Sequence, residues 1–494
     1  MPARPLSMLL LLILLVPPCS CSLTGERTAA PEYELAGRVA ELLRSEGYLT
    51  AHMGMVLLDP ETGKDLYALN AGKAFLPASN LKLFTAALAL ARLDPGWQAV
   101  TELHLGGPVK GGVLEGDLIL RGGGDPTLGR GDEPLALFRR WGDRLYQRGI
   151  RVVAGRIVVD DALFGPDRLG RGWAWDDAAH AYGAPVGALV LHENVVRLTL
   201  TPRAAGLPAE LSQLPTGLAV ENRVFARRRG ERRLELRRRW RRPGVVVTGS
   251  LPLDRGAAVL QVPVDEPSLF CGRALKRALE ASGIEVRREV ARIGTLLEYI
   301  YKRNEQSLAA FHRSPPLADM LKEMLHRSQN LYAENLFRLA GAAGAGEGEK
   351  ATARRAAAAM VELLRELGVD TRGFAMHDGS GLSRMNQVTP RQAAGLLAAA
   401  WSTPWGRQLY ALLPRAGREG TLARRFRGTA AAGRLRAKTG TLSRVSSLSG
   451  YLPRGPERPP LVFACFLQGY TRPVAALREE LDRVLAGLAE SLER

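Results

Sequence analysis

An α+β architecture, assembled from the two ends of the chain around a long β-rich insertion, is what this sequence predicts. Three observations carry that expectation. At 494 residues the chain exceeds what one hydrophobic core usually organises, so two or three domains are expected. The terminal parts mix strand-like and helical patterns. The stretch from about 95 to 305 instead holds short alternating runs broken by glycine and proline.

The N-terminus, "MPARPLSMLLLLILLVPPCSCSLTG", pairs Arg4 with an apolar run from Met8 to Val16 that is too short to span a bilayer. Residues 1–22 therefore read as an export signal, and the mature chain is expected in the periplasm or cell envelope. Cys19 and Cys21 offer lipid attachment as an alternative end to that signal, which Pro17 and Pro18 fit poorly. No later segment is long and apolar enough for a transmembrane helix. Cys271 and Cys465, far apart in sequence, read as small buried hydrophobes rather than a disulfide.

"MGMVLLDPETGKDLYALN" (53–70) reads as strand, turn, strand. In "SNLKLFTAALALARL" (79–93), Leu83, Ala87 and Leu90 recur at helical spacing, and Ser79 reads as the N-cap. "GDLILRG", "GRIVVDD", "VVRLTLTP" and "GVVVTGSLPL" are the strand-like runs of the middle part. Helical sequence returns over 315–341, followed by alanine-rich helices with "GAAGAGEGEK" as a loop between them. Two strand-like runs, "VSSLSGYLP" and "LVFACFL", are joined by "RGPERPP". A final helix places Leu477, Leu481, Val484, Leu485, Leu488 and Leu492 on one face.

The formal net charge is +18, concentrated in "ARRRGERRLELRRRWRRPG" (226–244). An exported protein has little access to nucleic acid, so no nucleic-acid partner is expected. Leu234 and Leu236 alternate with arginines there, which suits a solvated β-hairpin turning near Gly230. The other reading of this run is attraction to an anionic envelope polymer or membrane surface.

No G-x-S-x-G elbow, H-E-x-x-H pair, C-x-x-C spacing or P-loop is present, and none of the seven histidines lies beside a candidate nucleophile. Neither a metal nor a cofactor is expected. Ser79 and Lys82 are three residues apart at a helix start, a spacing that puts hydroxyl and amine on one face. The helix N-terminus there favours developing negative charge, and a lysine of lowered pKa can deprotonate the serine. Ser328 and Asn330 offer a proton relay and an amide partner just inside a helical segment. In Lys438-Thr439-Gly440 the ammonium and hydroxyl can hold a carboxylate, and the glycine would admit substrate close to the strand. Only nine lysines occur, and two of them fall inside these three short motifs.

In this order, Ser-x-x-Lys, Ser-x-Asn and Lys-Thr-Gly form the motif set of penicillin-recognising serine enzymes. The 246 positions from Lys82 to Ser328 hold the insertion, more than a compact β-lactamase needs. The chain resembles the low-molecular-mass class C penicillin-binding proteins, the D-alanyl-D-alanine carboxypeptidase/endopeptidase family. "GDLILRGGGDPTL", "WAWDDAAHAYGAPVGAL", "SPPLADMLKEMLHRSQNLYAENL", "DGSGLSR", "GREGTLARRF" and "AKTGTLSRVSSLSGY" all share in that likeness, which covers nearly the whole mature chain.

The resemblance implies a β-lactamase-like catalytic domain, an antiparallel sheet flanked by helices, formed by 30–95 and 306–494. It further implies a second domain inserted into it (96–186 and 251–305) and a third nested in the second (187–250). Carried over by motif, Ser79 is the acylated nucleophile, Lys82 its proton acceptor and Ser328 the relay to the leaving amine. Asn330 binds the substrate amide, Lys438 tunes the site, and Thr439 and Thr441 beside Gly440 hold the terminal carboxylate. Backbone N–H groups of Ser79 and Thr441 form the oxyanion hole, and Arg384 of "DGSGLSR" lines the site. Asp176 and Asp177 reach a cationic side chain on the peptide, or are simply a polar loop. Gln329 replaces the acidic or amide residue often found there.

The implied activity is hydrolysis of peptidoglycan stem peptides, with β-lactams as inhibitors. One rival is a β-lactamase, against which stands the lack of a glutamate-bearing deacylation motif between Asn330 and Lys438. Another is a non-catalytic module that grips anionic envelope polymer.

Overall fold

The structure, a computed structural model, describes residues 31–213, 218–239, 242–292, 308–346, 348–455 and 458–492. The expected signal peptide 1–22 and the lipid attachment at Cys19 or Cys21 lie outside the described residues.

Both ends of the chain meet in one five-stranded antiparallel sheet. Its order is Arg436–Leu442, Val445–Leu452, Leu461–Gln468, His52–Leu58, Asp65–Leu69. Alternation along a strand explains how this sheet serves two cores at once. From His52–Leu58, Met53, Met55 and Leu57 point to a layer built by the terminal helices Pro31–Arg44 and Val474–Ser491. Val56 and Leu58 point the other way, toward the helices Leu81–Arg92, Leu317–Arg327, Asn330–Gly341, Ala353–Glu366 and Pro390–Trp401. With helices on both faces, all eight residues of Val445–Leu452 are buried. The C-terminal apolar stripe packs as expected, with Leu477, Leu481, Val484, Leu485 and Leu488 buried against the sheet.

The helix Leu81–Arg92 departs from its expected amphipathic pattern, because every residue from Leu81 to Leu90 is buried. It is the central helix of the α-helical layer, and each fully buried leucine there contributes about 1.5–3 kcal/mol. Cys271 and Cys465 are free and buried. Burial pushes the Cys465 thiol up to about 12, as suits a residue used for packing.

Among the described residues the insertion holds four further sheets around a shared core. One has the order Ala291–Arg292, Ile157–Asp160, Asp117–Arg121, Val100–Gly106, Leu308–Arg313. The strand Leu308–Arg313 pairs antiparallel with Val100–Gly106, so these residues belong with the insertion's sheet and not with the terminal part that 306–494 assigned them to. Ala258–Pro263 pairs with Val195–Thr201, which shifts it from the 251–305 segment to the small β unit beyond residue 195. The reading of the insertion as strands and loops missed two helices, Ala136–Gln147 and Pro267–Ala281, whose buried faces (Phe138, Trp141, Leu145; Cys271, Leu275, Leu279) fill the insertion's core.

The arginine-rich run is not a hairpin. Val245–Pro252 lies between Val220–Arg227 and Arg233–Arg238, parallel to the first and antiparallel to the second. The two arginine-bearing strands are thus opposite edges of a small sheet, where charged side chains stay in water. Among the described residues no helix is long and apolar enough to cross a membrane.

Candidate active site

Ser79 occupies a 3-10 turn, Ala78–Asn80, that runs into the buried helix. It is not the N-cap: Asn80 holds that position and makes no side-chain capping bond. The Ser79 hydroxyl is directed at Lys82 instead, whose Nζ donates to Ser79 Oγ at 3.0 Å. Ala78 has φ 47, a left-handed conformation costing a non-glycine residue about 1–3 kcal/mol. Two neighbours hold the turn in place. Asn80 Nδ2 donates to the Lys438 carbonyl and to Ser447 Oγ, both at 2.9 Å. Ser447 Oγ in turn donates to the Pro77 carbonyl at 2.7 Å.

This contact gives Gly440 a structural reason besides the expected one. A Cβ there would lie 2.1 Å from Ser447 Oγ and 2.7 Å from the Pro77 carbonyl oxygen. The nucleophile turn is one chain that needs this close approach. Gly381 plays the same part from the other side: its Cβ would sit 1.8 Å from the Ala78 oxygen.

Lys82 is wholly buried. Its Nζ also donates to Asn330 Oδ1 at 2.7 Å and to the Ser380 carbonyl at 2.6 Å. Burial drives its pKa down to about 7, while Asp378 and Glu334 pull the other way. A neutral amine has two N–H groups and one lone pair. Asn330 Oδ1 and the Ser380 carbonyl can accept only from N–H, so the lone pair is left facing the Ser79 hydroxyl.

Ser328 and Asn330 sit at a break between two helices rather than inside one. Ser328, with φ 59, caps the end of Leu317–Arg327, and Asn330 opens Asn330–Gly341. Lys438 Nζ donates to Ser328 Oγ at 2.9 Å and to the Thr439 carbonyl at 2.8 Å. Lys438 is also wholly buried, and desolvation, then repulsion from Lys82, holds it well below the usual lysine range. Asn330 Nδ2 donates to the Tyr182 carbonyl at 2.8 Å, on a loop of the insertion.

Five of the expected residues therefore fall into two hydrogen-bonded groups, Ser79–Lys82–Asn330 and Ser328–Lys438, bridged by Asn80 Nδ2 to the Lys438 carbonyl. Thr439 Oγ1 donates to Thr421 Oγ1 at 2.8 Å, and the Arg478 guanidinium donates to Thr441 Oγ1. Arg384 is exposed, and its Nη1 donates to the Ser443 carbonyl at 3.4 Å. Asp176 is exposed on the insertion loop. Asp177 Oδ2 accepts from the Ala174 N–H at 3.0 Å, and its carboxylate helps burial raise the Tyr182 hydroxyl to about 12.

Sequence reasoning missed the supporting shell. Glu334 Oε1 accepts from the N–H groups of Gly379 and Ser380 at 3.0 and 2.9 Å, and Oε2 accepts from Arg338 at 2.6 Å. Asp378 accepts from Trp173 Nε1 at 2.8 Å, tying the insertion to the same loop. An acid and a base four apart in the apolar helix "NLYAENLFRLAG" were the available signal for Glu334 and Arg338. Thr421 and Asp378 lay in segments whose likeness was noted, but nothing local marked these two side chains.

Three comparisons with known proteins agree. A profile of the D-Ala-D-Ala carboxypeptidase 3 (S13) family matches residues 35–488. A D-alanyl-D-alanine carboxypeptidase of an Actinomadura species is 36% identical over 473 residues, covering 92% of this chain and 85% of that one. The D-alanyl-D-alanine carboxypeptidase DacB of Haemophilus influenzae is 28% identical over 438 residues, covering 85% of this chain and 86% of its own. The crystal structure of penicillin-binding protein 4 from Haemophilus influenzae shares the fold, with a TM-score of 0.78 at 24% identity over 91% of this chain and 99% of that one. The same protein has been solved with a β-lactam, with a TM-score of 0.74 at 23% identity over 91% of this chain and 99% of that one.

Proposed function

Since this chain belongs to the D-Ala-D-Ala carboxypeptidase 3 (S13) family, we propose that Ser79 attacks the D-Ala-D-Ala bond of peptidoglycan stem peptides and is the residue β-lactams acylate. The observation that carries this reading is the buried Lys82 amine, 3.0 Å from Ser79 Oγ and with a pKa near 7.

Lys82 takes the proton of Ser79 as Oγ bonds to the carbonyl carbon of the penultimate D-alanine. The oxyanion is received by the N–H groups of Ser79 and Thr441. Support for the second comes from the edge position of Arg436–Leu442: the Ala437 N–H leaves the sheet to bond the Pro414 carbonyl at 3.2 Å, and the strand repeat gives Thr441 N–H the same outward direction. Ser328 then passes a proton to the departing D-alanine amine, with Lys438 bonded behind it. The substrate's terminal carboxylate binds Thr439 and Thr441. Its arrival beside Lys438 favours the ammonium that burial disfavours. Water resolves the acyl-enzyme.

Asn330 binds the substrate amide by exchanging the Tyr182 carbonyl for it. Arg384 lines the outer cleft, and Asp176, the more exposed of the acidic pair, meets a cationic side chain on the stem peptide. The chain acts in the cell envelope, with the arginine-rich edge strands turned toward anionic polymer. Cleavage of cross-linking peptides, endopeptidase action, uses the same acyl-enzyme.

Intact-mass analysis after exposure to benzylpenicillin tests this: one adduct per chain, mapping to the Ser79 peptide, is expected, and none on Ser79→Ala. An adduct of equal extent on Ser79→Ala would overturn it. Mass analysis of products from defined stem peptides separates loss of D-alanine from cutting of a cross-link.

A further inference from the structure

A second cavity lies in the insertion, away from Ser79. It has a volume of about 370 Å³, within the range of small-ligand sites. Strand Val195–Thr201, helix Pro267–Ala281 and the loop around residues 131–135 enclose it. Its floor is apolar and buried, formed by Leu191, Val195, Phe270 and Ala274.

Its rim is cationic. Arg197, Arg273 and Arg277 line it and are exposed, and Asp132 is the one carboxylate among the lining residues. Arg273 and Arg277 are four apart on one helix, where like charges destabilise. Among the described residues, elsewhere in this chain many arginines are offset by a carboxylate two to four positions away, as Arg237 by Glu235 and Arg327 by Glu323. No such partner meets these three rim arginines among the described residues. Thr199, Ser212 and Gln213 add neutral hydrogen-bonding groups to the wall. Among the described residues Gln213 Oε1 is buried with no hydrogen-bond partner.

Guanidinium groups placed for an acid, neutral groups placed for hydroxyls and an apolar floor placed for C–H surface describe one ligand chemistry. We propose that this cavity binds a pyranose bearing a phosphate or carboxylate, the unit from which anionic envelope polymers are built. The supply of such a ligand rests on the envelope reading above; the cavity does not.

The site is connected to the catalytic cleft. His192 lines the cavity, and His192, Glu193 and Asn194 are all left-handed, with φ 50, 55 and 55. Three successive non-glycine residues in that region make a turn that its surroundings must hold. Glu193 accepts from Gln329 Nε2 at 2.7 Å and from Arg327 Nη1 at 2.8 Å. Gln329 is the residue between Ser328 and Asn330, so occupancy of the cavity bears on a turn that grips the relay motif.

Calorimetric titration of the mature chain with N-acetylglucosamine 1-phosphate tests the proposal, with N-acetylglucosamine and inorganic phosphate as separate probes. The sugar phosphate is expected to bind at least about tenfold tighter than either part. The double variant Arg273→Ala, Arg277→Ala is expected to lose at least about tenfold in affinity, with its circular dichroism and penicillin labelling unchanged. Ser79→Ala is expected to bind as the unsubstituted chain does, so failure of the catalytic reading would leave this result standing. Undetectable binding, equal binding by the double variant, or equal binding of inorganic phosphate would overturn it. Retention on an immobilised sugar-phosphate polymer identifies the polymer as the source, and binding of the monomer alone identifies a soluble sugar phosphate; each upholds the site.

Discussion

Two groups of cations divide this molecule. Lys82 and Lys438 have no solvent exposure, and among the described residues no carboxylate bonds either amine. Arg223, Arg227, Arg233 and Arg237, on the edge strands of the insertion, stand in water. The formal charge is alike and the consequence is not. In water a charge is accommodated by solvent, and an ion pair such as Arg237 with Glu235 is worth about 0–1 kcal/mol. Without water the charged form is itself the costly state, so the cleft obtains a free amine near neutral pH from an ordinary lysine. Burial, rather than a neighbouring acid, makes the base.

The comparison breaks most severely at Lys82. Lys82→Met keeps the volume and removes the lone pair, and the rate of penicillin acylation is expected to fall about 10²–10⁴-fold in stopped-flow assays. A fall of less than threefold would mean that Ser79 is activated by another group.

The next largest effect concerns the shell that holds Lys82 dry. Glu334 and Arg338 are both buried and bonded to each other. Arg338→Ala leaves a buried carboxyl uncompensated, and denaturant unfolding is expected to show a loss of about 3–5 kcal/mol. Glu334 is already disposed toward its neutral form by burial, and then by Asp378. Three of its acceptor sites are taken by Gly379, Ser380 and Arg338 and it is wholly buried, which weighs against its directing a water at the acyl-enzyme as a β-lactamase would require.

The smallest effect is expected on the other side of the comparison. Arg233→Gln with Arg237→Gln should change stability by no more than about 0.5 kcal/mol and leave acylation by penicillin unaltered. A change beyond that would show that the edge strands are coupled to the cleft.

What was legible in the sequence follows the same division between local and distant. The three motifs could be read because each is a few adjacent residues whose types already state a chemistry. The strands of the terminal sheet could be read because alternation is local. Sheet order could not: Val245–Pro252 separates two strands that a glycine turn made look like a hairpin, and Leu308–Arg313 joins a sheet some 200 residues upstream. The helix Leu81–Arg92 showed apolar spacing but not that its whole circumference is buried. The partners of the motifs were hidden for the same reason. Asn80 bonds Ser447, Lys82 bonds Ser380, and Glu334 holds the Ser380 loop, all across long stretches of chain. Gly440 was recognised as a point of close approach, but only the fold identifies Pro77–Asn80 as one chain that approaches it.

The central claim, that a desolvated Lys82 amine deprotonates Ser79, is tested most directly by the pH dependence of the acylation rate constant. Free amine forms as pH rises, so the rate should climb about tenfold per pH unit below about 7 and level off above it. A rate constant that stays flat from about pH 5 to 9, or the same profile in Lys82→Met, would contradict the account.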